Sequence, residues 1–115
     1  LGLYVSEHPL EEYRELLERK RATAVSRLTE QPRDAPVTVG GLVAGAKRIV
    51  TKAGSPMLFV TLEDLTGRAE VLVFPRVLER TAALWQPDKV VLVKGRLSRD
   101  RDEPKVLADE VTEVA

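Results

Sequence analysis

Between Ala35 and Leu62 the chain carries no Asp or Glu, yet it carries Lys47, Arg48 and Lys52. Between Lys89 and Arg99 there is again no acid, and Lys89, Lys94, Arg96 and Arg99 are present. Positive charge is therefore locally unopposed in two places. Phe59 lies near the first of them, in a run where Leu58, Val60 and Leu62 alternate with Phe59 and Thr61. If the aliphatic set turns inward, the Phe59 ring turns out. Cations that neutralise phosphates, beside a ring free to stack on a base, can bind a single-stranded nucleic acid; stacking contributes about 1–3 kcal/mol per base whatever the base. The candidate contacts are Lys47, Arg48, Lys52, Phe59, Arg68, Lys94, Arg96 and Arg99. Against tight binding, Glu63 and Glu70 fall on the outward face with Phe59, and Asp100, Asp102 and Glu103 follow the second basic stretch. The expectation is weak, sequence-tolerant binding, with a slope of about −0.7 in log K against log salt for each phosphate neutralised. The competing place for Phe59 is beneath the N-terminal helix, and Phe74, at a strand end, is expected in the core or against a helix.

No catalytic constellation accompanies these residues. There is no GxxxxGK(S/T) phosphate loop and no HExxH. The only histidine, His8, stands before Pro9 and reads as a helix cap rather than a base. Without cysteine, neither a disulfide framework nor a thiolate zinc site can form. Glu63-Asp64 reads as turn chemistry rather than a magnesium site, so no cofactor is expected in this chain.

The elements that must position the contacts are short strands. Leu58 to Leu62 and Ala69 to Phe74 alternate with period two. They are joined by Asp64-Leu65-Thr66-Gly67, where Asp64 can bond the turn backbone and Gly67 can take a positive φ. Lys47-Arg48 and the Thr51 to Pro56 loop form a basic stretch in front of this hairpin. Val37, Val39, Gly41 and Val43 define a first strand with glycines where it can bend. Val77 to Trp85 reads as a helix of about two turns, Val91 to Leu97 as a fourth strand and Lys105 to Val114 as a fifth. Upstream, His8-Pro9 opens an amphipathic helix with Leu10, Tyr13, Leu16 and Leu17 on one stripe. Thr23 to Leu28 is open between a short helix and an extended piece, and Gln31 to Pro36 breaks regular structure. Three strands, a helix and two strands is the order of the OB-fold, a five-stranded Greek-key barrel; an SH3-like barrel lacks that helix. The domain reading is residues 1–36 as helical segment and linker, and 37–115 as barrel.

Composition fits one soluble domain: 115 residues, 43% hydrophobic and 31% charged, of which about two thirds of the unfolded surface can be buried. With 18 basic and 18 acidic residues the net charge is zero, which argues against a strong non-specific polyanion binder and puts the weight on distribution. No run suits a membrane span or a signal peptide, and a reducing cytoplasm fits the lack of cysteine. A start at Leu1 rather than Met reads as a piece of something longer.

Two stretches resemble a known family. Leu1 to Leu10, L-G-L-Y-V-S-E-H-P-L, is similar to the L-G-L/F-Y-L/V-S-G-H-P-L segment before the OB domain of the alpha subunit of bacterial DNA polymerase III. Val37 to Val43, Thr51 to Pro75 and Val91 to Asp100 match the body of that domain; Glu7 departs from the family's glycine. The resemblance implies a module that contacts single-stranded template. Its parent replicative polymerase would perform magnesium-dependent nucleotidyl transfer with catalytic aspartates elsewhere, and would meet other domains of the subunit. The sliding clamp and clamp loader would be reached through neighbouring segments. F-V-T-L-E-D-L-T-G also resembles the anticodon-binding domains of class II aminoacyl-tRNA synthetases, in which the residue matching Phe59 stacks on a base. Glu70 stands where those domains commonly carry glutamine, which weakens an RNA reading. A further alternative is a protein-packing module, suggested by outward Leu72 and Phe74.

Overall fold

Alternate side chains of a strand face opposite sides, and here one of the two sets is largely branched and apolar, so each run can bury one face. The computed structural model describes residues 13–32, 34–98 and 105–114. In it β1 spans Pro36–Val50, β2 Pro56–Asp64, β3 Gly67–Val73, β4 Val90–Leu97 and β5 Lys105–Glu113. Helix α1 spans Arg14–Arg19 and α2 spans Pro75–Thr81. The strands close a barrel in the order β1-β2-β3-β5-β4. Strand β1 serves both sides, pairing antiparallel with β4 through residues 36–42 and with β2 through residues 42–50. The β3–β5 contact is parallel. This is the OB-fold, with its helix between the third and fourth strands.

Val39, Val60, Leu62, Val71, Val73, Val91, Val93 and Val106 are fully enclosed. Each end of the barrel has its own closure. At one end Pro75 occupies the start of α2, and Val77, Leu78 and Trp85 enter the core. The Trp85 Nε1–H donates to Thr81 Oγ1 at 2.9 Å, and the Thr81 hydroxyl donates to the Val77 carbonyl at 2.8 Å, so the buried polar atoms are satisfied. Phe74, expected in the core or against a helix, instead caps α2 at its N-terminus and is 42% exposed. Its outward place follows from alternation with inward Val73.

The other end is closed by residues upstream of the first strand, in the stretch that the sequence leaves open between a short helix and an extended piece. Val25–Glu30 form a 3-10 turn whose Val25 and Leu28 belong to the barrel core, Leu28 at 1% exposure. No side chain of its own caps that turn. The cap comes from the β2–β3 hairpin: Val25 N–H donates to Asp64 Oδ2 at 2.8 Å, and Ser26 N–H to Thr66 Oγ1 at 3.1 Å. Asp64 Oδ1 meanwhile accepts from Thr66 N at 2.7 Å and Gly67 N at 3.0 Å. This carboxylate replaces the left-handed residue anticipated in the turn: Gly67 keeps an ordinary φ, and the positive φ among the glycines is at Gly54, +83°. Because Asp64 holds both the reversal and the plug, Asp64→Ala should lower unfolding free energy by about 1.5–3 kcal/mol, the range for bonds to a charged acceptor. Urea unfolding of the two proteins would measure it, and a difference below about 0.5 kcal/mol would show that neither bond set matters.

Tyr13 and Leu17 of the N-terminal helix pack with Leu42, Val90 and Val114 on the outside of β1 and β4. The Leu17 side chain lies over Gly40 so closely that a β-carbon there would meet it. The helix start at His8-Pro9 and Leu10 lie outside the described residues. No helix among the described residues is long and apolar enough to cross a membrane.

Candidate nucleic-acid interface

Lys47 and Arg48 were expected in a basic stretch after the first strand, but they are part of β1. A bulge between Val43 and Gly45 shifts the register, and beyond it β1 pairs with β2 until Val50 meets Pro56. The consequence follows from period two. Lys47 lies opposite Phe59 on the outer face, whereas Arg48 lies opposite inward-facing Leu58 and lines a groove beside α2. Neighbours in sequence thus serve different surfaces. Lys52 is exposed in the short loop that follows, where Thr51 N–H donates to the Ser55 carbonyl at 2.8 Å and Ser55 N–H to Thr51 Oγ1 at 3.2 Å.

The barrel aligns Phe59 with residues distant in sequence. Its Cα partners are Lys47 on β1 and Leu72 on β3; Leu72 in turn pairs with Leu107 on β5, and Leu107 with Arg96 on β4. Every member turns away from the core: Lys47 and Arg96 are exposed, and Phe59, Leu72 and Leu107 are half-buried. The result is one apolar strip crossing the strands with a cation at each end. At about 4.8 Å per strand it covers roughly 19 Å measured around the curved barrel wall. The described part of the N-terminal helix does not cover it, since that helix rests on Leu42 and Val90.

The remaining candidates divide. Arg68 is not an unopposed cation: its Nε–H donates to Glu63 Oε1 at 2.8 Å. Such an exposed pair contributes at most about 1 kcal/mol, but it cancels local charge of both signs. Glu70 has Lys105 as its Cα partner across β3 and β5, a cation beside the carboxylate counted against binding. Lys94 is exposed on β4, with Thr38 and Glu110 as its partners, two residues from Arg96. Arg99 and the rest of its loop lie outside the described residues. Leu107 was missed as a site residue. Alternation with buried Val106 and Ala108 turns it outward, but nothing local could reveal that β5 lies parallel to β3 and places it beside Leu72. Among the described residues no cluster of carboxylates or histidine gathers to hold a metal ion.

The model of the OB-fold nucleic acid binding domain family matches residues 37–114. The chain belongs to that family. Over 114 residues this OB domain is 40% identical to DNA polymerase III subunit alpha of Mycobacterium tuberculosis, a match that takes in 97% of the chain and 10% of the relative. It is 38% identical over 106 residues to the same subunit of Aquifex aeolicus, covering 92% of the chain and 9% of the relative. The resemblance drawn from the motifs is therefore borne out, and the OB domain spans about a tenth of the length of these relatives. A mitochondrial single-stranded DNA binding protein of S. cerevisiae shares the fold, with TM-score 0.56, 8% identity, and coverage of 72% of this chain and 97% of that one.

Proposed function

We propose that this OB domain is a weak, largely sequence-independent single-stranded DNA binding module of a replicative polymerase alpha subunit. One observation carries the reading: Lys47, Phe59, Leu72, Leu107 and Arg96 stand in a single row across the barrel, an apolar strip with a cation at either end. Phe59 supplies the stacking ring, Lys47 and Lys52 meet the backbone at one end of the strip, and Arg96 meets it at the other, with Lys94 and Arg99 as further contacts. The parent's magnesium-dependent nucleotidyl transfer and its clamp and clamp-loader contacts are assigned, on the same reading, to the relatives' remaining nine tenths, and its setting is the cytoplasm. A tRNA anticodon role is disfavoured by Glu70 on this face.

Fluorescence anisotropy of labelled oligo-dT at low salt tests it. Phe59→Ala should weaken binding about tenfold, the effect of losing one stacked base. Replacing Lys47 and Lys52 by alanine should reduce the salt slope by roughly 1.4, two phosphates' worth. Curves that coincide for all three proteins would remove the assignment, and tighter binding to oligo-U than to oligo-dT would move it to RNA.

A further inference from the structure

Among the described residues, strand β1 has an unpaired edge. Its pairing with β4 ends at Leu42, and from Gly45 to Val50 it is paired only with β2. In an antiparallel pair only half of a strand's backbone groups face the partner, and among the described residues no other backbone hydrogen bond reaches residues 44–50. Directly beneath this edge, between β1 and α2, lies the groove of about 580 Å³ whose walls include Pro56, Leu58, Leu78 and Ala82. That volume falls within the range of about 300–1,000 Å³ typical of sites that enclose an apolar group. Arg48 and Arg76 also line it, both exposed; among the described residues neither is in an ion pair, and the groove's lining holds a single acid, Glu79.

We infer that this edge of β1 and the groove beneath it form a docking site for an extended peptide segment of a partner protein, one whose groove-facing side chains, every second residue, are aliphatic and acidic in turn. The segment adds a strand to residues 44–50, seats its aliphatic side chains against Leu58 and Leu78, and brings its carboxylates to Arg48 and Arg76. Main-chain bonds at such an edge supply affinity, and the pockets beside it supply choice. Three features select this occupant. A nucleic acid strand would need an open ring to stack on, and the groove's aromatic residue, Trp85, is only 6% exposed. A second copy of this chain would set Lys47 and Arg48 against their own like. An acidic segment is drawn by the same two arginines.

The test is an NMR titration of the isotope-labelled 115-residue chain, whose barrel closes around its own core. The probe is acetyl-Glu-Thr-Val-Thr-Glu-Thr-Leu-amide, whose Glu, Val, Glu and Leu share one face of an extended strand, run beside its glutamine counterpart and oligo-dT. The acidic peptide should shift the amides of residues 44–50 and of α2. Binding should be at least tenfold weaker for the glutamine peptide, and at least tenfold weaker on the R48E/R76E variant, whose exposed substitutions leave the core untouched. Four results would each overturn the inference: no shifts, shifts confined to the Phe59 face, binding indifferent to charge reversal, or the same amides responding to oligo-dT. The strip around Phe59 is read separately by the DNA arm, so either proposal can fail alone.

Discussion

Gly95→Ala should destabilise this domain by about 3 kcal/mol or more, lowering its melting midpoint by more than roughly 10 °C. Gly95 sits at the bulge where β4 changes register against β5. A β-carbon there would press into the Leu107 carbonyl and come within 3.2 Å of the Ala108 Cα. Those are main-chain atoms of the strand that closes the barrel, so relief requires β5 to move, and β5 pairs with both β3 and β4. At Gly40, by contrast, the obstacle is the far end of the Leu17 side chain, which can swing aside; alanine there should cost much less. Thermal melts of both variants followed by circular dichroism decide the matter. A Gly95 variant melting within two or three degrees of the parent would mean the strand crossing is looser than it stands.

Leu28→Ala is the second large effect, about 2–5 kcal/mol, the cost of removing a buried leucine side chain and leaving a cavity. The residue lies upstream of every strand, yet it is among the most enclosed side chains of the domain, with Val25 beside it in the core. Leu65→Ala, 38% exposed in the neighbouring hairpin turn, serves as the control and should change little. Chemical denaturation of the two variants would show whether residues 23–32 belong to the cooperative unit. Equal, small losses would place that stretch outside the cooperative unit. If the expected difference is found, a barrel cut at Val37 lacks the plug at one end, and DNA-binding measurements require the longer chain.

The strip around Phe59 and the groove beside Arg48 answer different questions about one strand. Strand β1 has Lys47 on its outer face and Arg48 on its inner one, so substituting both together would mix effects on two surfaces. The Glu63 to Arg68 pair has a similar bearing. Removing Arg68 alone would take one cation from the Glu63 carboxylate on the outward face of β2, and a loss of DNA affinity could then arise from repulsion rather than from a missing contact.

Strand identities, the hairpin, the helix between β3 and β4, and the outward direction of Phe59 were legible in the chain because each rests on local alternation or local turn chemistry. Period two distinguishes Phe59 from Val60 without reference to any other segment. What needed the folded barrel was everything set by pairing between distant segments. Leu107 joins Leu72 only because β5 runs parallel to β3. Lys47 and Arg48 separate only because β1 continues past its bulge to meet the start of β2. Leu28 is core only because Asp64 and Thr66, far along the sequence, cap its turn. Local patterning determines which face of a strand a side chain takes; which other faces adjoin it depends on register and closure, and those are properties of the assembled sheet.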